Sequence, residues 1–404
     1  MTDRLYFTDP YLRTFYATIS RVDRRDDRLV LTLDRTAFYP SSGGQPFDTG
    51  SLGGLRVVDV VDEEDGSISH VAESGTLNPE PGSSVHGEID WARRFDHMQQ
   101  HSGQHVLSAA FDTLFNVRTV SFHLGAVAST IDLAREMSPA EIAAAEHEAN
   151  RIVWEDRPVG IRFATAEEAA QLPLRKESVR GGTLRLIDVQ DFDLSACGGT
   201  HVARTGGIGV IAVASWERFK GGQRLEFVCG GRALDGYRTF RDAMTASVRL
   251  LSVLPEELPA AIERMQGDAK EQKRATVGLQ NELARYHAED MANGAEEVRL
   301  KPDTTGDARC RLVARAVDAD ANGLKSLASA IVAKPGFLVV LVSMSSPALA
   351  VIARSVDVAV SAQQLLAALI KQFGGRGGGR PEMAQGGGLV ASADAILATV
   401  RAAI

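Results

Sequence analysis

The sequence predicts an α+β protein: a small N-terminal β-barrel, an α+β domain, a helical connector and a C-terminal α/β domain. Three observations predict it. Short alternating apolar runs separated by turn residues fill the first 90 positions. A stretch rich in Ala, Leu, Glu and Arg and poor in glycine runs from Arg232 to about Glu297. Strand and helix patterns then alternate over 308–404. The expected domains are 1–90, 91–231, 232–300 and 301–404.

In the first domain, Tyr16–Val22 and Arg28–Asp34 alternate in hydrophobicity and are split by the charged turn Asp23–Asp27. Leu55–Val61 and Ile68–Val71 follow, split by Glu63–Gly66, and Val85–Ile89 comes after the turn residues Pro79–Ser84. Short strands at this spacing suggest a small barrel. In the second domain a helix is expected over Phe95–Phe115. Ser138, Pro139 and Glu141 mark the start of another, as N-cap, first helical residue and first-turn acid, and it runs to about Trp154. Leu184–Val189, Gly209–Ser215 and Gln223–Val228 read as strands, so helices should pack on an antiparallel sheet.

The connector breaks at Leu254-Pro255-Glu256, since proline ends a helix, and its second piece, Leu258–Met291, reads as a long exposed or paired helix. Lys301–Gly306 reads as a linker. The last domain offers strands at Arg311–Arg315, Phe337–Val342 and Ala348–Ala353, and helices at 323–333, 361–373 and 391–402. Between the last two helices, 374–388 reads as a Gly-rich loop bearing Arg376 and Arg380, able to bring backbone N–H groups near a phosphate.

Composition bounds the function classes. Hydrophobic content of 44% and charged content of 24% are globular values. No apolar run approaches the ~18 residues of a membrane span, and the first residues lack an apolar signal-peptide core. Cys197, Cys229 and Cys310 are odd in number and scattered, which argues against a disulfide framework and for a reducing, cytoplasmic setting. A net charge of −8 means that a nucleic-acid partner would need cations gathered locally. The candidate clusters are Arg93-Arg94, Arg175-Lys176, Arg218-Lys220-Arg224 and Arg376-Arg380.

The chemistry concentrates in two pairs. His101 and His105 stand at i and i+4, on one face of the expected helix, where two imidazoles can share one metal. His97 forms an equally spaced pair with His101. Downstream, Cys197-Gly-Gly-Thr-His201 places a thiolate and a third imidazole on a turn whose glycines let the backbone wrap close. One thiolate and three imidazoles are the donor set that suits Zn²⁺.

The residues around these pairs carry a resemblance. Phe38-Tyr-Pro-Ser-Ser-Gly-Gly-Gln45 with Asp48 and Gly50, Met98–Ser108, Ser121-Phe-His-Leu-Gly125 and Cys197–His201 resemble, in order, the motifs of the alanyl-tRNA editing domain, in a long AlaX-type arrangement. The likeness covers residues 1–230 most closely. The last third is similar to the DHH-associated C-terminal domain of alanyl-tRNA synthetases, with no Asp-His-His motif upstream.

The resemblance implies a hydrolase that removes serine, and perhaps glycine, from tRNA specific for alanine. It implies Zn²⁺ held by His101, His105, Cys197 and His201, and tRNA contacts at Arg376 and Arg380. Thr36, Gln45 and Ser102 fall on or beside the motifs and are the candidates for reading the serine hydroxyl, with Ser102 standing where the family's motif often has Thr. Four protein ligands describe a closed zinc, whereas a catalytic zinc keeps an open position, so the activator of water stays unassigned. A non-catalytic tRNA-binding module is the alternative, and a synthetase is disfavoured because the barrel begins within twenty residues of Met1. A homodimer through the connector or the C-terminal domain is a further expectation.

Overall fold

The computed structural model describes residues 1–25, 27–73, 79–175, 182–300 and 309–404, and the chain divides into two compact units, Met1–Arg249 and Leu250–Ile404. Lys176 and the linker expected at Lys301–Gly306 lie outside the described residues.

Six strands of the first unit form a barrel: β1 (Thr14–Arg25), β2 (Arg28–Leu33), β3 (Gly50–Leu52), β4 (Leu55–Asp62), β5 (Ile68–Glu73) and β6 (Ser84–Ile89). They pair antiparallel in the order β1-β2-β5-β4-β3-β6 and close into a barrel as β6 returns to β1. Alternation drives this: Phe15, Ala17, Ile19, Leu31, Leu33, Val57, Val60 and Val85 turn inward to one core. Strand β3 is not among the expected strands, because three residues are too few to show a period. It is the strand that closes the barrel and so removes the sheet edges.

The rest of the unit includes α1 (Trp91–Phe115), β7 (Thr119–Leu124), β8 (Ser129–Leu133), α2 (Pro139–Trp154), β9 (Val159–Ala164), β10 (Leu184–Val189), β11 (Asp193–Ala196), β12 (Ile211–Phe219) and β13 (Gly222–Cys229). Two antiparallel sheets result, ordered β12-β13-β8-β7 and β9-β10-β11. Helix α1 begins four residues before the expected Phe95, because Asp90 accepts from the Arg93 N–H and caps it. It is buried continuously from Gln100 to Phe111, and Met98, Val106, Leu107 and Phe111 join Ile142, Ile152, Leu225 and Phe227 in the core. Helix α2 starts as expected, with Ser138 and Glu141 forming a reciprocal capping box. Helix α3 (Gly231–Leu251) buries none of its residues.

The second unit comprises α4 (Leu258–Asn293), β14 (Glu296–Arg299), β15 (Arg309–Val317), α5 (Ala321–Val332), β16 (Phe337–Ser343), β17 (Ala348–Arg354), α6 (Ala362–Phe373), β18 (Arg376–Arg380), β19 (Met383–Leu389) and α7 (Ala393–Ala403). Its sheet runs β14-β15-β16-β17-β19-β18, with β15 and β16 parallel. All seven residues of β16 are buried, as a central strand covered on both faces demands. Cores lie on the two sides, one with Leu366, Leu369 and Ile396, the other with Leu324, Ile331 and Ala288.

The Gly-rich stretch expected as a loop is instead the hairpin β18–β19. Its glycines admit close pairing: a Cβ at Gly377 would lie 2.4 Å from the Gln385 carbonyl oxygen, and one at Gly379 would lie 2.3 Å from that of Met383. Among the described residues no helix is long and apolar enough to cross a membrane.

Candidate metal centre

Helix α1 presents His101 and His105 to the loop after β11, which carries Cys197 and His201. Arg185 shapes that loop: its Nη1 donates to the carbonyls of Cys197 and Gly199 at 2.8 Å each, and the Cys197 N–H donates back to the Arg185 carbonyl at 3.0 Å. The loop therefore wraps Arg185, a residue only 7% exposed. At Gly199 a Cβ would fall 2.1 Å from His101 Cε1, so only glycine lets the backbone pass that ring.

The four donor atoms lie within 4.8 Å of one another, with Cys197 Sγ 3.4 Å from Nε2 of both His101 and His201. Tetrahedral Zn²⁺ at ordinary bond lengths would separate such N and S atoms by about 3.3–3.6 Å. The residues fit the ion. His97, which the spacing also offered, is buried, but its ring stands outside the cluster and its Nδ1 has no partner.

Each imidazole is anchored through its other nitrogen. Gln45 Oε1 accepts from the Thr200 N–H at 3.0 Å, while its Nε2 donates to Thr200 Oγ1 at 2.8 Å. That orientation leaves His101 Nδ1, 2.9 Å from the same oxygen, to be the donor. His105 Nδ1 lies 3.1 Å from the Asp193 carboxylate and must likewise carry a proton. Ser102 Oγ meets His201 Nδ1 at 3.2 Å and accepts from the Val202 N–H at 3.1 Å. With Nδ1 as the donor in each ring, all three Nε2 atoms are free to face an ion, the arrangement that metal-binding histidines use.

The electrostatics favour a thiolate at Cys197 and keep a second proton on His105 until an ion displaces it. Burial alone would raise the Cys197 thiol, yet the neighbouring His101 and His201 rings pull it well below the usual range. Burial, with His101 close by, pushes His201 down to about 3 and keeps its ring neutral. At His105 burial is outweighed by the Asp193 carboxylate and the thiolate, and its pKa rises to about 9. Arg175 Nε supports Asp193 at 2.6 Å, and Ser195 Oγ donates to the same carboxylate. Asp193, Arg185 and Thr200 carried no sequence signal beyond their nearness to Cys197 and His201.

The three residues expected to read the substrate are all engaged inside the protein. Gln45 and Ser102 hold imidazoles, as above. Thr36 lies in a barrel-side chain: His70 Nδ1 donates to the Leu31 carbonyl at 3.0 Å, so its Nε2 accepts from the Thr36 hydroxyl at 2.8 Å. The Phe38 N–H then donates to Thr36 Oγ1, leaving that oxygen one lone pair.

Of the basic clusters, Arg93-Arg94 is not a phosphate surface. Arg94 is fully buried and paired with Asp48, the motif acid, and its remaining N–H groups reach the carbonyls of Pro10 and Ala37. Arg175 is tied to Asp193, Arg218 to Glu136 and Arg224 to Asp132. Arg376 and Arg380 are exposed on β18.

A model of the class II (A) tRNA synthetases matches residues 13–93, one of the threonyl and alanyl tRNA synthetase second additional domain matches 184–226, and one of the DHHA1 domain matches 310–404. An alanine--tRNA ligase of Pyrococcus abyssi is 34% identical over 402 residues, which are 95% of this chain but 42% of that protein. The ligase of Natronomonas pharaonis is 34% identical over 96% of the chain and 42% of its own length. The chain thus spans about two fifths of these ligases. A solved C-Ala domain of Aquifex aeolicus alanyl-tRNA synthetase, 23% identical over 25% of this chain and 95% of that one, superposes at a TM-score of only 0.21. The alanyl-tRNA editing protein AlaX-L of Pyrococcus horikoshii is 31% identical over 393 residues, 96% of this chain and 94% of that protein. With both lengths covered almost end to end, the chain belongs to the AlaX-L family of alanyl-tRNA editing proteins.

Proposed function

We propose that this protein hydrolyses the ester that joins a wrong amino acid, serine or glycine, to the 3′ end of tRNA specific for alanine. The observation that carries the reading is the preset cluster of His101, His105, Cys197 and His201, with each Nδ1 anchored and each Nε2 turned inward, in a chain of the AlaX-L family. These four residues would hold Zn²⁺, which supplies polarisation of an ester carbonyl or an acidified water when bound.

The chain's own residues have distinct parts. Gln45 and Asp193 orient His101 and His105 and act on substrate only through them. With His201 Nε2 given to the ion, its Nδ1 donates to Ser102, which also accepts from the Val202 N–H, so the Ser102 proton remains to donate. Thr36 keeps one lone pair to accept. A site that hydrogen-bonds the serine hydroxyl can reject alanine by about 10⁴–10⁵, because these polar groups would otherwise go unpaired. Ser102 and Thr36 are the residues of this reading that do so. Arg376 and Arg380 are its tRNA contacts in the C-terminal domain, and its setting is the cytoplasm.

The test is deacylation of seryl-tRNA specific for alanine, beside correctly charged alanyl-tRNA, by metal-loaded and chelator-stripped protein. Fast, metal-dependent release of serine with alanine spared is expected. One observation favours a second reading: four protein donors close a tetrahedral ion, as in structural zinc sites. On that reading the protein binds tRNA without turnover, and binding with no hydrolysis at enzyme excess would establish it.

A further inference from the structure

We propose that a cleft at the C-terminal end of α1 binds the phosphodiester backbone of the polynucleotide that carries the ester, a proposal that rests on the hydrolase reading. The cleft has a volume of about 500 Å³, and Asp112, Asn116, Arg118, Arg135 and Arg175 line it. Asn116 ends α1 in the left-handed conformation and turns the chain so that Arg118 enters the cleft wall. The Ala134 N–H donates to the Arg118 carbonyl at 3.1 Å, which pins the segments of Arg118 and Arg135 side by side. Three arginines from separate parts of the chain line one space.

This space is wired to the metal centre. Arg175 Nε and Nη2 donate to Asp193, at 2.6 and 3.3 Å, and Asp193 accepts from His105 Nδ1 at 3.1 Å. A cleft-lining cation thus stands two hydrogen bonds from a metal-binding imidazole. An ester held at the metal is tethered to a polyanion whose backbone must leave the site nearby. A chain of net charge −8 has to meet it with locally gathered arginine.

Opposing charges are present and leave donors over. Arg135 pairs with Glu141 at 2.9 Å, Arg175 with Asp193, and Asp112 faces the cleft beside the negative end of α1. The Asp193 pairing uses Nε and Nη2 of Arg175 and leaves Nη1 for a ligand. Arg118 is exposed and has no ion-pair partner among the described residues. Pre-oriented guanidiniums of this kind match the bidentate geometry of phosphate oxygens.

The test uses the full chain, tRNA specific for alanine, and the serine ester of adenosine, which lacks a phosphate backbone. Arg118→Gln combined with Arg135→Gln should weaken tRNA affinity by about ten-fold. It should also lower the slope of log affinity against log salt by about one per arginine. The KM for seryl-tRNA should rise while hydrolysis of seryl-adenosine is spared, and Arg118→Lys should recover most of the salt slope. Unchanged affinity and slope in the double variant would overturn the cleft, whether or not the ester is hydrolysed. If wild-type protein hydrolyses neither ester, the hydrolase reading fails, and the salt slopes still decide the cleft.

Discussion

The backbone of Gly199 runs against the ring of His101 so closely that a β-carbon on Gly199 would lie 2.1 Å from Cε1. Gly199→Ala should therefore push His101 out of the cluster and empty the metal site in an otherwise folded protein. Gly198→Ala is the control, since its β-carbon would meet nothing nearer than Phe7 Cε1 at 3.9 Å. Metal content of the two purified variants decides it: equal loading would show that His101 is not a ligand.

Removing a donor is the blunter test. His101→Ala and Cys197→Ala should each abolish serine release from mischarged tRNA and leave the protein soluble. Wild-type rates in both variants would refute the metal-dependent mechanism.

Asp193 acts at one remove. Asp193→Asn keeps the shape but loses the charge that His105 and Arg175 share. Loss of such an anchor costs about 10–100-fold in metal affinity. Competition against a chelator of known strength should show that drop, and an unchanged affinity would make the contact merely structural.

These anchors mark the limit of what could be read from residues alone. The donors were legible because His-x-x-x-His on a helix and Cys-x-x-x-His on a Gly-Gly turn occur together, although spacing alone offered His97 as well. Their partners were not. Gln45 reaches Thr200 and His101 across the barrel boundary, and Asp193 meets His105 from another strand, pairings that no spacing in one segment encodes. For the same reason Arg94 read as half of a surface basic pair, when Asp48 had drawn it into the interior. Long strands and capped helices were legible from their period, whereas β3 had too few residues to show one. The Gly-rich hairpin hid its strands behind residues that favour loops.

The Arg94–Asp48 pair yields a stability prediction. Both side chains are completely buried, and Arg94→Ala would leave a carboxylate without its cation. Breaking a buried pair in this way costs about 3–5 kcal/mol. Urea denaturation should show the loss, and a change below about 1 kcal/mol would mean that Asp48 becomes neutral or hydrated.

Acid should weaken the barrel through His70. Burial pushes this imidazole down from its ordinary 6.5 to about 4, so the unfolded chain takes up the proton first. Its contribution is intact above pH 6.5 and is lost as the pH falls towards 4, to a total of about 3 kcal/mol. His97, lowered to about 4 chiefly by burial, adds in the same direction. Denaturation midpoints at pH 7 and pH 4.5 should differ more in wild type than in His70→Gln. An equal difference would remove His70 as the cause.

The side-chain amide of Gln45 has a further consequence for how this protein can be divided. One oxygen, supplied from the barrel side, receives both the helix imidazole at 101 and the backbone of the Cys197–His201 loop. The first ninety residues are thus a structural organ of the metal site rather than an accessory module. A fragment cut at residue 91 would keep all four donors and lose the means of aiming one of them. Excision or domain shuffling along that seam should yield a fragment that folds around a loosely held ion, and any natural shortening of this architecture must bring its own substitute for that amide.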